Sequence, residues 1–459
     1  NFDEHDNVYD SLISAKKITS SDVLRVIKKI TWTSGTIYEM YRPDYSINKL
    51  SPQTNSSSLY KSNFYVMNSD FRVYECIYNG AAPANSGGGV ISLEEPTHTD
   101  LQPRLESDGY IWKYLYTIKP SDIIKFDSAE FIPVPSNWAT NTDVADVRNA
   151  AVDGKIETIV IEDTTSAVYQ FNGTKNAVPI RGDGSDGLAS VTFINGKPSA
   201  VQVTNGGSGY SFGTLDLDDV VTGSGASFSV IVPPPGGHGA DIYRELGANK
   251  VLVYSRIENS DVTNPDFPTG NQFARIGIIE NPQQFGSTNL LTASSAAGVY
   301  GLRLTGAATT SMSVAVDGQI TQTVGVGSTA VGQIIGYDPV TKSLQYWQDR
   351  SLATNNSSGN KPTFGYKLNR FTANPASGGN TNIIVTTTGG TETLSIDTGF
   401  TGVSTTVNSR TYYFGQTYNN GLANPEIKKY SGNIIYVDQR PEVTRATNQR
   451  EDIKIILEF

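Results

Sequence analysis

The densest collection of side chains that could act as acids, bases or metal ligands lies in one Gly-, Pro- and acid-rich loop, Asn79 to Asp108. The candidate side chains of this loop are Glu94, Glu95, His98, Asp100, Glu106 and Asp108. Carboxylates and imidazole could bind a metal ion, and two carboxylates at a suitable separation could cleave a glycoside. The spacing matches no ligand template, so we favour a solvated or partner-facing loop and predict no metal ligand or catalytic residue in it.

Two further groups of potential chemical interest are predicted to be structural. Cys76 lies in a predicted strand, and no His follows it at a catalytic spacing, so a small buried hydrophobe is favoured over a reactive thiol. His238 lies between glycines in PPPGGHGA, and His5 and His98 are far from it in sequence. A triad or zinc site would need long-range convergence that the sequence does not indicate, so we predict a structural turn at His238.

The segment Gly182–Gly187 formally fits the GxGxxG pattern of dinucleotide-binding loops. Asp183 and Asp186 would repel phosphate, however, and no helix pattern follows to supply an anion-binding N-terminus. A glycine turn, with weak calcium binding left open, is the favoured interpretation. We therefore predict no cofactor.

Composition and charge exclude several classes of protein. A chain of 459 residues exceeds the size of one core, and its 44 glycines, 24 tyrosines and three methionines indicate a β-dominated protein of two or three domains. The net charge of -10 leaves no basic field for nucleic acid. No apolar run approaches the roughly 18 residues of a membrane span, and the acidic start NFDEHDNVYD does not resemble a signal peptide. The single cysteine excludes an internal disulfide and fits folding in a reducing cytoplasm.

The elements that must position these groups are predicted to be mostly strands. One helix is predicted, because Ser20-Ser21-Asp22 offers N-caps for VLRVIKKI. Strands are predicted over the residue ranges 32–45, 64–67, 71–78 and 110–118. In GQIIGYDPVTKSLQYWQ, Asp338-Pro339 predicts the turn of a hairpin.

The last 29 residues predict two strands separated by a polar loop. The first covers 434–437 and is expected to end at the breaker Arg440-Pro441. In the second, Ile453, Ile455, Leu457 and Phe459 alternate with mostly polar residues, which is typical of a half-buried strand. We therefore expect the end of the chain to be a core strand, or alternatively an arm that docks on a neighbouring subunit.

One predicted strand carries a row of aromatic residues, Tyr110, Trp112, Tyr114 and Tyr116. Such a row indicates core or cross-strand packing first, and an interface if that face is exposed to solvent. With Tyr436 and Arg440 of the C-terminal segment, these four are the candidate interface residues.

Three blocks of sequence resemble one family of phage structural proteins. The first is the C-terminal block from Ser431-Gly432 through Ile435-Tyr436, Arg440-Pro441, Gln449 and Glu451-Asp452 to Phe459. The second is DGYIWKYLY at 108–116 with FIPVP at 131–135, and the third is FARIGIIENP at 273–282. Their order along the chain is similar to that of the baseplate wedge protein, gene product eight, of T-even-type contractile-tailed phages. The similarity covers roughly half of the residues.

The resemblance implies a non-enzymatic structural subunit of the baseplate wedge in a contractile tail. Such a subunit is expected to form a homodimer, to hold neighbouring wedge proteins together during assembly and sheath contraction, to be made in the bacterial host cytoplasm and to reside in the virion. It binds no nucleic acid and no membrane in this interpretation. The alternative is a receptor- or glycan-binding tail spike or adhesin.

The expected architecture is mainly β, a discontinuous β-sandwich core domain with inserted β-rich domains and few short helices. The core would be formed by residues 1–150, a middle block 239–286 and the C-terminal strands in 424–459. Residues 151–238 and 287–423 are predicted to be the two inserted β domains, because their short strands are punctuated by turns and absent from the resembling blocks.

Overall fold

A computed structural model describes residues 8–83, 88–217, 220–257, 272–348, 369–444 and 450–459. The predicted mainly-β class with few short helices is confirmed. Within the described residues, positions 8–10 are helical, and the further α-helices are α1 (Pro120–Phe126), α2 (Ala145–Asn149) and α3 (Ile242–Glu245). Short 3-10 turns cover Ser20–Asp22, Leu59–Lys61, Thr142–Val144 and Ala307–Thr310.

The strands follow one another in three groups along the chain. Those before residue 150 are β1 (Ser14–Lys16), β2 (Val23–Lys28), β3 (Tyr65–Met67), β4 (Arg72–Tyr78), β5 (Arg104–Leu105), β6 (Ile111–Thr117) and β7 (Phe131–Pro133). Those of the next hundred residues are β8 (Thr158–Asp163), β9 (Val168–Tyr169), β10 (Gly173–Gly182), β11 (Ser185–Ile194), β12 (Lys197–Ser208), β13 (Gly213–Leu215), β14 (Gly223–Ser224) and β15 (Ser227–Ile231). The remainder are β16 (Lys250–Ile257), β17 (Gln272–Glu280), β18 (Ser295–Ala297), β19 (Tyr300–Thr305), β20 (Gln319–Gly325), β21 (Ser328–Asp338), β22 (Ser343–Trp347), β23 (Asn382–Thr387), β24 (Gly390–Ile396), β25 (Gly402–Val407), β26 (Arg410–Asn419), β27 (Leu422–Ala423), β28 (Asn433–Thr444) and β29 (Glu451–Glu458).

The chain divides into two compact units. One comprises Ser20–Tyr254 with Lys454–Phe459, and the other comprises Asn1–Thr19 with Ser255–Ile453. The separate packing of 151–238 and 287–423 as independent inserted domains stays a prediction.

In the unit Ser20–Tyr254, the main core is built on the sheet β3-β4-β6-β5. Strand β4 is buried on both faces, since every residue between its two ends is buried. In this core, aromatic side chains of β6 pack against those of segment 32–45. Tyr38 of that segment meets Trp112 of β6 edge-on, with ring centroids 5.8 Å apart. Cys76 is fully buried in this core, so the prediction of a small buried hydrophobe is confirmed.

The predicted helix after Ser20-Ser21-Asp22 is wrong. Those three residues form a 3-10 turn, and Val23–Lys28 is strand β2 of the sheet β29-β16-β2-β7. Strand β2 pairs antiparallel with β16 on one side and β7 on the other. Because helix propensities differ by less than about 1 kcal/mol per residue, hydrogen bonds along both edges and the β-branched side chains decide the outcome.

The predicted strand over 32–45 is also wrong. This segment is irregular and makes only isolated bridges, such as Thr36 with Ser92. Tyr38, Met40, Tyr41 and Tyr45 of this segment are nevertheless buried. The backbone N–H of Tyr38 donates to the hydroxyl of Tyr110 at 3.0 Å. Side chains of the core therefore replace a neighbouring strand as hydrogen-bond partners.

The C-terminal residues form a core strand, with one correction. Ile453 and Ile455 on β29 are buried, and the backbone N–H of Phe459 donates to the carbonyl of Asn249. The side chain of Phe459, however, is 84% exposed. Phe459 continues the apolar alternation in the sequence, but it follows Glu458, the last residue of β29, and its side chain is not part of the buried face.

Residues 151–238 contain a four-stranded antiparallel sheet, β12-β11-β10-β13, beside the pair β15-β8. Alternate residues of β11 point into a hydrophobic cluster that includes Ala189, Val191 and Phe193. The predicted strands of this region are present.

In the unit Ser255–Ile453, six strands close into a barrel. They run in the order β22-β21-β20-β23-β24-β19, and the pairing of β19 with β22 closes the ring. Side chains such as Leu302, Ile334 and Tyr346 fill the interior. In a barrel of so few strands the inward-facing side chains form a packed core and leave no channel. The hairpin β21–β22 carries the predicted turn at Asp338-Pro339.

Strand β28 does not end at Arg440-Pro441 as predicted. It continues to Thr444 and pairs with β17. Between the pairs Gln439–Arg275 and Val443–Phe273 the register shifts, and Pro441 lies within this bulge. A bulge leaves backbone groups outside the ladder, so a proline without an N–H can be accommodated there.

Candidate functional site

The most concentrated group of buried ionisable side chains in the described residues is a cluster of Glu75, His238 and Glu245. Each comes from a different element of the unit Ser20–Tyr254. Glu75 lies in the middle of β4, His238 in the loop that precedes α3, and Glu245 is the last residue of α3.

The loop that carries His238 depends on its glycines. Gly237 and Gly239 both have φ of +90, a conformation that L side chains rarely adopt. A Cβ on Gly237 would also lie 2.3 Å from the carbonyl oxygen of Val152. Asp241 then caps α3, since its carboxylate accepts from the backbone N–H groups of Tyr243 and Arg244. The sequence GGHGAD thereby places the imidazole against the end of its own short helix.

The geometry of the cluster is close and asymmetric. Nδ1 of His238 lies 2.8 Å from Oε1 of Glu245 and 2.8 Å from Oε2 of Glu75. The contact with Glu245 is a hydrogen bond, and the other oxygen of Glu245 accepts from the backbone N–H of Gly239 at 2.7 Å. Both carboxylate oxygens of Glu75 lack a hydrogen-bond partner. One proton on Nδ1 can be directed at only one carboxylate, so Glu245 is satisfied and Glu75 is not.

Burial and mutual interaction set the ionisation of the three groups. Burial raises the pKa of Glu75 well above its usual range, and repulsion from the Glu245 carboxylate raises it further. Burial alone would lower the pKa of His238, but attraction to Glu75 and the bond to Glu245 outweigh it and raise that pKa. Burial likewise opposes ionisation of Glu245, yet the bond to His238 holds its pKa below the usual value. Burial and the neighbouring carboxylate thus oppose ionisation of Glu75, whereas the contacts with the carboxylates favour the charged form of His238.

Among the residues that the structure describes, no buried Lys or Arg forms an ion pair with Glu75. Lys113 is directly opposite Glu75 on the paired strand β6 and is also buried, but its Nζ donates to the carbonyl of Leu101 at 3.0 Å. The ring of Tyr41 stands edge-on to the imidazole with centroids 4.8 Å apart. A shallow crevice reaches the imidazole and is lined by Tyr41, Ile77, Glu157, Thr158, Ile231 and His238.

His238 lies in a turn, as predicted, but two acidic side chains from other elements meet it, a convergence that the sequence did not indicate. Two signals in the sequence bear on this cluster. Glu75 is the one acidic residue in the apolar strand 71–78, and Glu245 lies seven residues after His238. Neither signal predicts that β4 packs against the loop before α3, because that contact exists only in the folded chain.

In the acidic loop after Asn79, Asp108 and Glu95 each accept hydrogen bonds from a different set of backbone N–H groups. The carboxylate of Asp108 accepts from the backbone N–H groups of Leu93, Glu94 and Tyr110. Burial alone would raise the pKa of Asp108, but these donors outweigh it and lower that pKa. A carboxylate oxygen of Glu95 similarly accepts from the backbone N–H of Ser69. These acids hold the loop in shape.

His98 is the second buried histidine and contrasts with His238. Its ring nitrogens lie 3.9 Å from Asp100 and 3.9 Å from Glu106, beyond hydrogen-bond distance. Burial lowers the pKa of His98 below its usual value. Among the described residues, the acids of this loop do not converge on His98 at ligand distance.

The candidate interface residues fall into two groups. Tyr110, Trp112 and Tyr116 are buried in the core, as the packing interpretation predicted. Tyr114 is half-buried, Tyr436 on β28 is half-buried, and Arg440 is exposed and paired with Asp438. Of the six candidate interface residues, only this second group is accessible to a partner.

The segment Gly182–Gly187 is a tight connection between β10 and β11. Strand β11, not a helix, follows it. The carboxylate of Asp183 accepts from the backbone N–H groups of Ser211 and Phe212, which ties the turn to the next loop. The glycine-turn interpretation is confirmed, while calcium binding stays untested.

No family model, no curated protein and no solved structure matches this chain. In the described residues, no helix is long and apolar enough to cross a membrane.

Proposed function

We propose that the protein is a structural subunit of the baseplate wedge in a contractile phage tail, and that it acts without catalysis. The three ordered blocks of resemblance support this proposal. In the structure, DGYIWKYLY supplies β6 of the main core, and the C-terminal block supplies β28 and β29. Residues that carry the resemblance are thus residues that build sheets, as expected if a family shares a framework and not a reactive site.

The observation that carries the non-enzymatic part is the burial of the Glu75–His238–Glu245 cluster. The crevice that reaches His238 is lined by neither cluster carboxylate. General acid or base catalysis requires the group to come within hydrogen-bond distance of a substrate proton. The cluster instead joins a sheet, a loop and a helix end within one core.

In this function the protein would form a homodimer and contact other wedge proteins, and it would assemble in the bacterial cytoplasm before residing in the tail baseplate. Its net charge of -10 supports partners that are proteins and not nucleic acid.

The rival function is a receptor- or glycan-binding tail spike, which the exposed aromatic side chains of Phe212 and Tyr413 favour. The test is cryo-electron microscopy of purified tails from the phage that encodes this chain. Density for the chain inside the baseplate ring supports the wedge subunit. Density that projects from the ring, or cleavage of host surface polysaccharide by the purified protein, would overturn it.

A further inference from the structure

Glu75, His238 and Glu245 together provide the donor set of a metal centre. One ligand atom from each lies within 4.8 Å of the other two, and all three residues are buried. Neither oxygen of the fully buried Glu75 has a hydrogen-bond partner, and Oε2 lies 2.8 Å from Nδ1 of His238, so this carboxylate is available to bind an ion beside the imidazole. We propose that Glu75, His238 and Glu245 bind one divalent transition-metal ion, with Zn²⁺ as the best match.

The chemistry of the donors selects the class of ion. Two carboxylates and an imidazole suit Zn²⁺ and related first-row ions, whereas Mg²⁺ and Ca²⁺ prefer oxygen ligands alone. Zinc binds imidazole nitrogen and carboxylate oxygen at about 2.0–2.2 Å, which places neighbouring ligand atoms roughly 3.3 Å apart. The two separations of 2.8 Å from Nδ1 would therefore need to open by only about 0.5 Å.

The surroundings support a centre of this kind. The backbone N–H of Gly239 fixes Glu245 through its second oxygen, and such outer contacts orient metal ligands. The ring of Tyr41, edge-on to the imidazole, covers the cluster on one side. The ion would tie β4 to α3 and its preceding loop, and so contribute to folding of this core.

The experiment uses the full chain, stripped with a chelator and titrated with Zn²⁺ against a chromophoric competitor, with Mg²⁺ and Ca²⁺ as separate arms. We expect one Zn²⁺ per chain and a higher melting temperature of the zinc-loaded protein. His238→Asn and Glu75→Gln should each weaken binding by more than about a hundredfold, because loss of a group that only orients a metal ligand already costs about 10–100-fold.

The matched control is His98→Gln, which removes the other buried histidine and should leave uptake unchanged. X-ray absorption of the zinc-loaded wild type adds a readout that needs no variant. It should show nitrogen and oxygen ligands at about 2.0–2.2 Å and no sulfur at about 2.3 Å. Absence of uptake by folded wild-type protein, retention of uptake in His238→Asn, or a sulfur ligand would each overturn the proposal.

Discussion

Glu75 on β4 and His238 in the loop before α3 lie 2.8 Å apart, and neither oxygen of Glu75 has a hydrogen-bond donor. The contact joins two distant parts of the sequence inside one core. The effect of this contact on stability, and on how stability depends on pH, can be measured in chelator-treated protein.

Removal of one member of the cluster should strongly destabilise the unit Ser20–Tyr254. Glu245→Ala removes the hydrogen-bonded carboxylate of His238 and leaves the N–H of Gly239 without its acceptor, and loss of one partner of a buried pair costs about 3–5 kcal/mol. Urea denaturation measures the loss. Glu130→Gln, an exposed acid in the same unit, is the control and should change stability by less than about 0.5 kcal/mol. Equal effects of the two substitutions would contradict a structural role for the cluster.

Stability of the metal-free protein should fall as the pH rises from neutral. The pKa of His238 is raised in the folded state, so its contribution is complete below the ordinary value of 6.5 and is lost as the pH rises through the folded value. Glu75, whose pKa is also raised, acts in the same direction from its ordinary 4.5 upward. Glu245, whose pKa is lowered, loses its contribution only as the pH falls below 4.5.

The measurement for this pH dependence is urea denaturation between about pH 6.5 and 9. His238→Gln should flatten the alkaline decline relative to wild type. His98→Gln should leave it in place, because burial lowers the pKa of His98. A decline of the same slope in wild type and His238→Gln would exclude the cluster as its source.

The terminal strand should contribute to stability through two side chains. Ile453 and Ile455 are buried, and burial of each is worth about 1.5–3 kcal/mol. Truncation after Asp452 should therefore unfold or strongly destabilise the unit that β29 completes, and amides 453–458 should exchange slowly in the isolated protein. Phe459→Ala is the control and should have little effect, since that side chain is 84% exposed. Rapid exchange of these amides would instead indicate an arm that docks on a neighbour.

Cys76 should be unreactive in the folded protein. Burial raises the pKa of its thiol well above the usual value, and the thiolate is the reactive form. A chromogenic disulfide reagent at about pH 8 should label it only after denaturation. Because Cys76 is the only cysteine of the chain, the signal reports the unfolding of its core directly. Immediate labelling in native buffer would show that the core around β4 opens.

The proposed function predicts a dimer in isolation. Multi-angle light scattering at micromolar concentration should give about twice the chain mass of 49.5 kDa. Tyr436→Ala should weaken the dimer if β28 contributes to it, whereas Phe212→Ala removes an exposed aromatic outside the candidate interface and should not. A monomer mass for wild type would count against this prediction.

The sequence alone determined the mainly-β class, because strand propensity, alternation and turn residues act over a few neighbouring positions. The hairpin around Asp338-Pro339, the burial of Cys76 and the strand that contains Ile453 and Ile455 were all predicted from such local patterns. Local patterns failed where tertiary pairing overrides propensity. Val23–Lys28 has helix caps before it but becomes a strand between β16 and β7, and β28 passes through Pro441 at a bulge.

Only the tertiary structure decided the candidate site. From the sequence, Glu75 is predicted to be a polar residue in a strand, and His238 is predicted to be a turn residue among glycines. Their meeting depends on how β4 packs against the loop that the positive φ angles of Gly237 and Gly239 allow. Ionisation follows from that packing, since burial and charges within about 4–6 Å determine the pKa. The distance between two side chains that are far apart in sequence is set by the fold, so residue spacing along the chain cannot predict it.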